Sequence, residues 1–218
     1  MEINVREKFE KQLTDLNGEL IQVGSMIEKA IEMSISALVQ QDGEKARRTM
    51  LISDEIARKE KEIENMCFRI LLSQQPVASD LRRVSAALKM VTDMKRIGDF
   101  AGDMSEISLN LIGQEYIKRL DHLPMMAKET TVMVINSIEA FVQNDIELAG
   151  EVIAADDIVD DLFLTVKSEL IALILENPEN GSQATDLLMI AKYFERIGDH
   201  AENIANWVIF SVTGEKRK

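Results

Sequence analysis

The chain has 218 residues, 46% of them hydrophobic and 29% charged, enough to bury a proper core in one large or two small domains. Its net charge of −13 argues against nucleic acid, whose phosphates require Lys and Arg, and is compatible with cations or basic protein partners. Three prolines, 5% aromatics and twelve methionines favour helices over sheets.

A helix is predicted over 4–40, where Phe9, Leu13, Leu16, Leu20, Val23, Ile27, Ile31, Ile35 and Leu38 recur at steps of three and four. Gln41-Asp42-Gly43 ends it, and Asp42 is placed to cap a second helix over 43–73. That helix is charged from Asp54 to Glu64 and holds Cys67 in an apolar stretch, where a small buried hydrophobe is expected. A lone cysteine permits no intramolecular disulfide, which fits a reducing cytoplasm. Gln74-Gln75-Pro76 breaks the pattern, and a third helix runs from Pro76 or Val77 to Leu111. Ile112-Gly113 to Asp121-His122 reads as the connection between domains, dividing the chain into 1–112 and 121–218. Helices over 123–143 and 146–176 follow. Asn177-Pro178-Glu179-Asn180-Gly181 is a strong break, a sixth helix covers 182–213, and the tail to Lys218 is basic and frayed. The N-terminus lacks an apolar core, so no signal peptide is expected, and no run of about 18 apolar residues spans a membrane.

The halves repeat. Ser34/Ser137, Ile35/Ile138, Ala37/Ala140, Val39/Val142, Gln40/Gln143, Asp42/Asp145 and Asp54/Asp157 pair at an offset of 103, and the third helices register at 100. The difference falls in the loops near 73–80 and 176–183. Short connections then predict an all-α chain of two tandem antiparallel three-helix bundles related by a pseudo-twofold.

One tetrapeptide marks both third helices: Arg96-Ile97-Gly98-Asp99 returns as Arg196-Ile197-Gly198-Asp199. Glycine costs about 1 kcal/mol against alanine in a helix interior, so its recurrence points to close packing or a crowded site. Glu195, Asp199 and Asn203 share one helical stripe, as do Lys95, Asp99 and Asp103 in the first half. Asp156 and Asp160 form a ladder on the fifth helix, with Asp157 and Asp161 parallel to it. If helices five and six are antiparallel neighbours, the two ladders face each other, and four carboxylates around one space need a cation or a shared proton. All-oxygen ligation suits magnesium, manganese, calcium or iron. A solvated acidic face with pairs such as Asp199–Arg196 is the open alternative. In the first half Ser53 and Ala57 replace Asp156 and Asp160, and Lys95 replaces Glu195, so an internal ammonium is expected where the second half keeps a metal. His200 neighbours Asp199 but points about 100° away from it on the helix. Arg82 and Arg83 form a basic spot that either meets an acidic partner or lies in solvent.

Pro76-Val77-Ala78-Ser79-Asp80-Leu81-Arg82-Arg83, with Leu88-Lys89 and Arg96-Ile97-Gly98-Asp99, resembles the first-half signature of the PhoU family. Glu195-Arg196-Ile197-Gly198-Asp199-His200-Ala201-Glu202-Asn203-Ile204 resembles the second. The resemblance implies a cytoplasmic negative regulator of phosphate uptake and of the phosphate-starvation response, without catalysis. It implies metal ions (iron, manganese, magnesium or zinc) on paired E/D-x-x-x-D motifs, here Glu195/Asp199 and Asp156/Asp160. Asp99/Asp103 keeps the spacing one turn beyond the departure at Lys95. It also implies contact with the phosphate ABC transporter ATPase and a phosphate-sensing histidine kinase, and self-association as a homodimer. The rival reading is a di-metal carboxylate oxidoreductase, but that architecture uses Glu-x-x-His, which this chain lacks. A purely structural spacer is a third class.

Overall fold

The computed structural model describes residues 5–73 and 77–215, so the expected helix start at residue 4, the Gln74–Pro76 break and the end of the basic tail lie outside the described residues. Six helices follow in order: α1 Val5–Gln40, α2 Gly43–Ser73, α3 Ala78–Asn110, α4 His122–Gln143, α5 Ile146–Glu176 and α6 Gly181–Thr213. A 3₁₀ turn at Pro178–Asn180 fills the expected break before α6. Helix α3 starts at Ala78, one or two residues later than expected.

The repeat is visible in the corners. Gln41 and Asn144 both take the left-handed conformation, at φ 52° and 57°. The next residues, Asp42 and Asp145, each donate a backbone N–H at 2.9 Å, to Ala37 O and Ala140 O. These are the same helix-ending bonds, satisfying carbonyls that the helix leaves open. Each aspartate then caps the next helix: Asp42 Oδ1 accepts from Glu44 N and Lys45 N, and Asp145 Oδ1 from Glu147 N and Leu148 N. Ser34 and Ser137 both return their hydroxyls to a carbonyl three residues back at 2.8 Å.

Helices α2, α3, α6 and α5 lie side by side in that order, and α1 and α4 pack together across one side of the row. Because α3 meets α6 directly, a single hydrophobic core runs through both bundles. The seam is antiparallel: His200 Nδ1 lies 2.7 Å from Asp93 Oδ1, and the Phe100 and Tyr193 rings stack at 5.4 Å. Cys67 is fully buried, as expected, and burial pushes its thiol up to about 12.

Helix α4 is much shorter than α1, with 22 residues against 36. The connection after α3 takes the place of the missing turns. Tyr116 donates its hydroxyl to Leu38 O at 2.6 Å, and Gln183 accepts from Ile117 N at 2.7 Å. Lys118 pairs with Glu169, which also meets His122 Nδ1 at 3.2 Å. The segment is a strap over the second bundle rather than a free connection.

Candidate metal centre

Helices α5 and α6 are neighbours, and the two ladders of the second bundle do meet. A Cβ added at Gly198 would lie 2.7 Å from Asp156 Oδ1, so the glycine is what lets that carboxylate reach the α6 backbone. Val159 packs beside it, 3.6 Å from the same point. The first bundle uses its matching glycine differently: a Cβ at Gly98 would meet three carbons of the buried Ile56, at 2.9 to 3.3 Å.

The cluster is electrostatically crowded. Burial, then Asp160, Glu202, Asp199 and Glu195, push the Asp156 carboxyl up to about 7. Asp199 is raised by burial and by Glu195, with Lys192 and Arg196 opposing. Asp160 is exposed on the residue scale but still raised, by lost solvation and by Glu195. Glu195 is largely buried, its side chain 14% exposed. One of its oxygens takes the Lys192 ammonium, which also lies 5.2 Å from the Phe163 ring centre, while Oε2 is buried with no hydrogen-bond partner.

Asn203 is exposed, as are Asp157 and Asp161. Among the described residues, no three His, Cys, Asp or Glu side chains converge closely enough to form a ready ligand shell. Glu202 and Lys192 are the members that the ladder spacing missed. Glu202 was legible: it lies three residues beyond Asp199, and its counterpart at offset 100 is Gly102. Lys192 was not, because nothing in a sequence says which acid a flexible ammonium will choose.

The first bundle keeps Asp99 opposite Asp199 but differs at four other places. Ser53, Ala57, Lys95 and Gly102 stand where the second has Asp156, Asp160, Glu195 and Glu202. Lys95 pairs with Asp99, and Arg96 adds a contact at 3.7 Å. Asp103 is raised by burial, by Asp99 and by Glu106, and hydrogen-bonds Tyr193 across the seam. A cavity of about 430 Å³ remains here, bordered by Ser53, Asp54, Lys95, Asp99 and Asp103. Both bundles therefore set an ammonium among several carboxylates, with Asp54, Asp99, Asp103 and Glu106 beside Lys95 and Arg96 in the first; the second is set apart by the raised Asp156 and the unsatisfied Glu195 oxygen.

The PhoU domain family model matches residues 20–108 and 123–208, most of both halves. The chain belongs to the PhoU family. Among curated PhoU relatives, a phosphate-specific transport system accessory protein PhoU homolog from Clostridium acetobutylicum is 35% identical over 97% of each chain. A homolog of the same name from Pseudomonas aeruginosa is 32% identical over 97% of this chain and 88% of its own. The crystal structure of PhoU from Pseudomonas aeruginosa superposes with a TM-score of 0.90 at 33% identity, covering 95% of this chain and all of that one. A phosphate transport system regulatory protein PhoU from Streptococcus pneumoniae has the same fold, with a TM-score of 0.90 at 24% identity over 96% and 99% of the two chains.

The second-bundle residues of this PhoU chain fit a hard cation in two respects. Their donors are carboxylates, and the buried Glu195 Oε2 has no protein donor to satisfy it. Neither histidine belongs to the set: His200 turns to Asp93 on α3 and His122 to Glu169. The basic spot also resolves. Arg83 lies 5.3 Å from the Phe141 ring centre and donates to Val142 O at 3.3 Å and to Asn144 Oδ1, so it ties α3 to the end of α4 instead of waiting for a partner. Arg82 packs beside Gly214 at the end of α6.

Proposed function

We propose that this chain is a regulatory accessory protein of phosphate transport, acting in the cytoplasm without turnover as a metal-binding adaptor between the phosphate ABC transporter ATPase and a phosphate-sensing histidine kinase. Full-length likeness to proteins named for that transport system supports the transport role. Among the described residues no helix is long and apolar enough to cross a membrane, so the membrane is reached through partners. The observation that carries the metal reading is the paired state of the second bundle: an Asp156 carboxyl pushed up to about 7 beside a buried, unsatisfied Glu195 oxygen.

Asp156, Glu195 and Asp199 would hold the ion, with Asp160 and Glu202 adding field. A bound hard cation supplies positive charge there and nothing redox-specific. The side chains do the rest. With a cation held there, Asp156 would serve as a carboxylate, Glu195 would turn from Lys192 toward the added charge, and the repulsion between the carboxylates of α5 and α6 would be offset. In the first bundle Lys95 and Arg96 already meet Asp99. The oxidoreductase alternative lacks its histidines, both of which are engaged elsewhere.

A pull-down from membrane fractions under phosphate-replete and phosphate-starved conditions tests the adaptor role. Recovery of transporter ATPase or kinase in a phosphate-dependent manner is expected; recovery of neither in both states contradicts it.

A further inference from the structure

Helix α5 ends the four-helix row, packed by α4 and α6 and open on its outer side. That side carries a seam at alternating steps of four and three: Asp157, Asp161, Leu164, Ser168, Ile171 and Leu175, all exposed. Leu164 is 57% exposed, Ile171 47% and Leu175 80%. Alternating steps of four and three are the spacing by which two helices pack along their length. No base stands on the seam, and both of its acids precede the apolar half.

The other edge of the row is α2, and the repeat gives it the same exposed seam: Asp54, Arg58, Lys61, Asn65, Phe68 and Leu72. Both seams keep two apolar residues at the C-terminal end. They part where Lys61 corresponds to Leu164 and Arg58 to Asp161. That difference decides which edge can meet its own image. Two α5 seams laid antiparallel set Leu164 of one copy beside Leu175 of the other, and Ser168 beside Ile171, so apolar side chains meet apolar or small ones. Two α2 seams laid the same way set Lys61 beside Leu72, an ammonium against an aliphatic chain. One edge of the molecule therefore closes on a second copy and the other does not.

The acids select the same orientation. A parallel second copy would bring Asp157 and Asp161 against their own counterparts, and like charges oppose that. In the antiparallel arrangement Asp161 comes abreast of the Pro178–Asn180 turn of the other copy. Helix α6 starts there, and Asn180 gives its first N–H groups no side-chain cap, so the positive end of a helix lies open to the carboxylate.

We propose that the outer face of α5 is a self-association surface, on which a second copy of this chain docks antiparallel through Leu164, Ser168, Ile171 and Leu175 to close a two-fold dimer. Neither the metal nor the adaptor reading is involved, because no carboxylate of the cluster lies on the seam. One helix pair is at the small end of specific interfaces, so the dimer dissociates on dilution. Sedimentation equilibrium of the full chain is expected to show monomer and dimer, with the dissociation constant raised at least tenfold by Ile171→Arg. Circular dichroism melts of that variant and the wild type, both diluted to monomer, are expected to coincide, since Ile171 faces solvent. Orientation is read by cross-linking. Cys67 is fully buried, so Leu164→Cys and Leu175→Cys each supply the one accessible thiol. A mixture of these two variants is expected to form disulfide dimers at least tenfold faster than either alone. Faster cross-linking within one variant, a dimer indifferent to Ile171→Arg, or growth beyond two copies overturns the proposal. A chain that stays monomeric at every concentration overturns it as well, and loss of another protein from a pull-down with Ile171→Arg would then give the face to that protein.

Discussion

At the scale of single residues, Asp156 carries the sharpest pH dependence. Burial and the acids around it push its folded carboxyl up to about 7 from its ordinary 3.8. The folded state then holds a proton that the unfolded chain has lost between those values, so this group's contribution to stability falls as pH rises from about 4 to about 7. In metal-free protein, the stability difference between wild type and Asp156→Asn is expected to move against the wild type over that window and to level off above it. Urea melts across pH measure this; a difference flat with pH contradicts the burial of Asp156. Cation affinity is expected to follow the opposite course, rising toward pH 7, because ligation needs the carboxylate. Lys192 is the other decisive residue. Lys192→Met removes the cation that competes for Glu195, and tighter binding of manganese by calorimetry is expected, with unchanged or weaker binding contradicting the exchange.

At the scale of elements, the two marked glycines serve different purposes, and one substitution made twice separates them. Gly98→Ala drives a Cβ into the rigid, fully buried Ile56, with a cost of about 1–3 kcal/mol expected from overpacking. Gly198→Ala meets only the end of the Asp156 side chain and Val159 at ordinary contact, so Asp156 swings aside and helix propensity returns about 1 kcal/mol. Chemical denaturation is expected to show Gly98→Ala destabilised and Gly198→Ala near neutral, with cation affinity lost only in the latter. Equal destabilisation of both denies that Gly198 exists for Asp156. Arg83→Ala is expected to cost about 1–2 kcal/mol by removing the tie between α3 and the end of α4. The helices themselves were legible because their apolar periodicity is long and their stop signals are chemical: Asp42, Asp145, Asn144 and Pro178 all act where their side chains predict. Arg83 was not legible as a tie, because its partners Phe141 and Asn144 are distant in sequence and near only after the bundles pack.

At the scale of the whole molecule, a duplicated three-helix unit has diverged by charge. The backbone devices survive in both copies, from the αL corner residues to the serine back-bonds, whereas the α2/α3 and α5/α6 faces have separated into one that seats Lys95 on Asp99 and one that carries Asp156, Asp160, Glu195 and Glu202 instead. The repeat showed where that separation lies. It did not show the shared core at the α3/α6 seam, since two self-contained bundles and two fused ones have the same apolar periodicity, and it did not show that the connection works as a strap. Cation binding is expected to raise the melting temperature by about 5–10 °C at a hundredfold excess over Kd, through preferential binding to the folded chain. The most direct test of the unequal halves is calorimetric titration of metal-stripped protein with manganese, in wild type, Glu195→Gln and Asp99→Asn. Binding is expected in wild type, is expected to be lost in Glu195→Gln and to persist in Asp99→Asn; equal losses in the two variants, or no binding in the wild type, would contradict it.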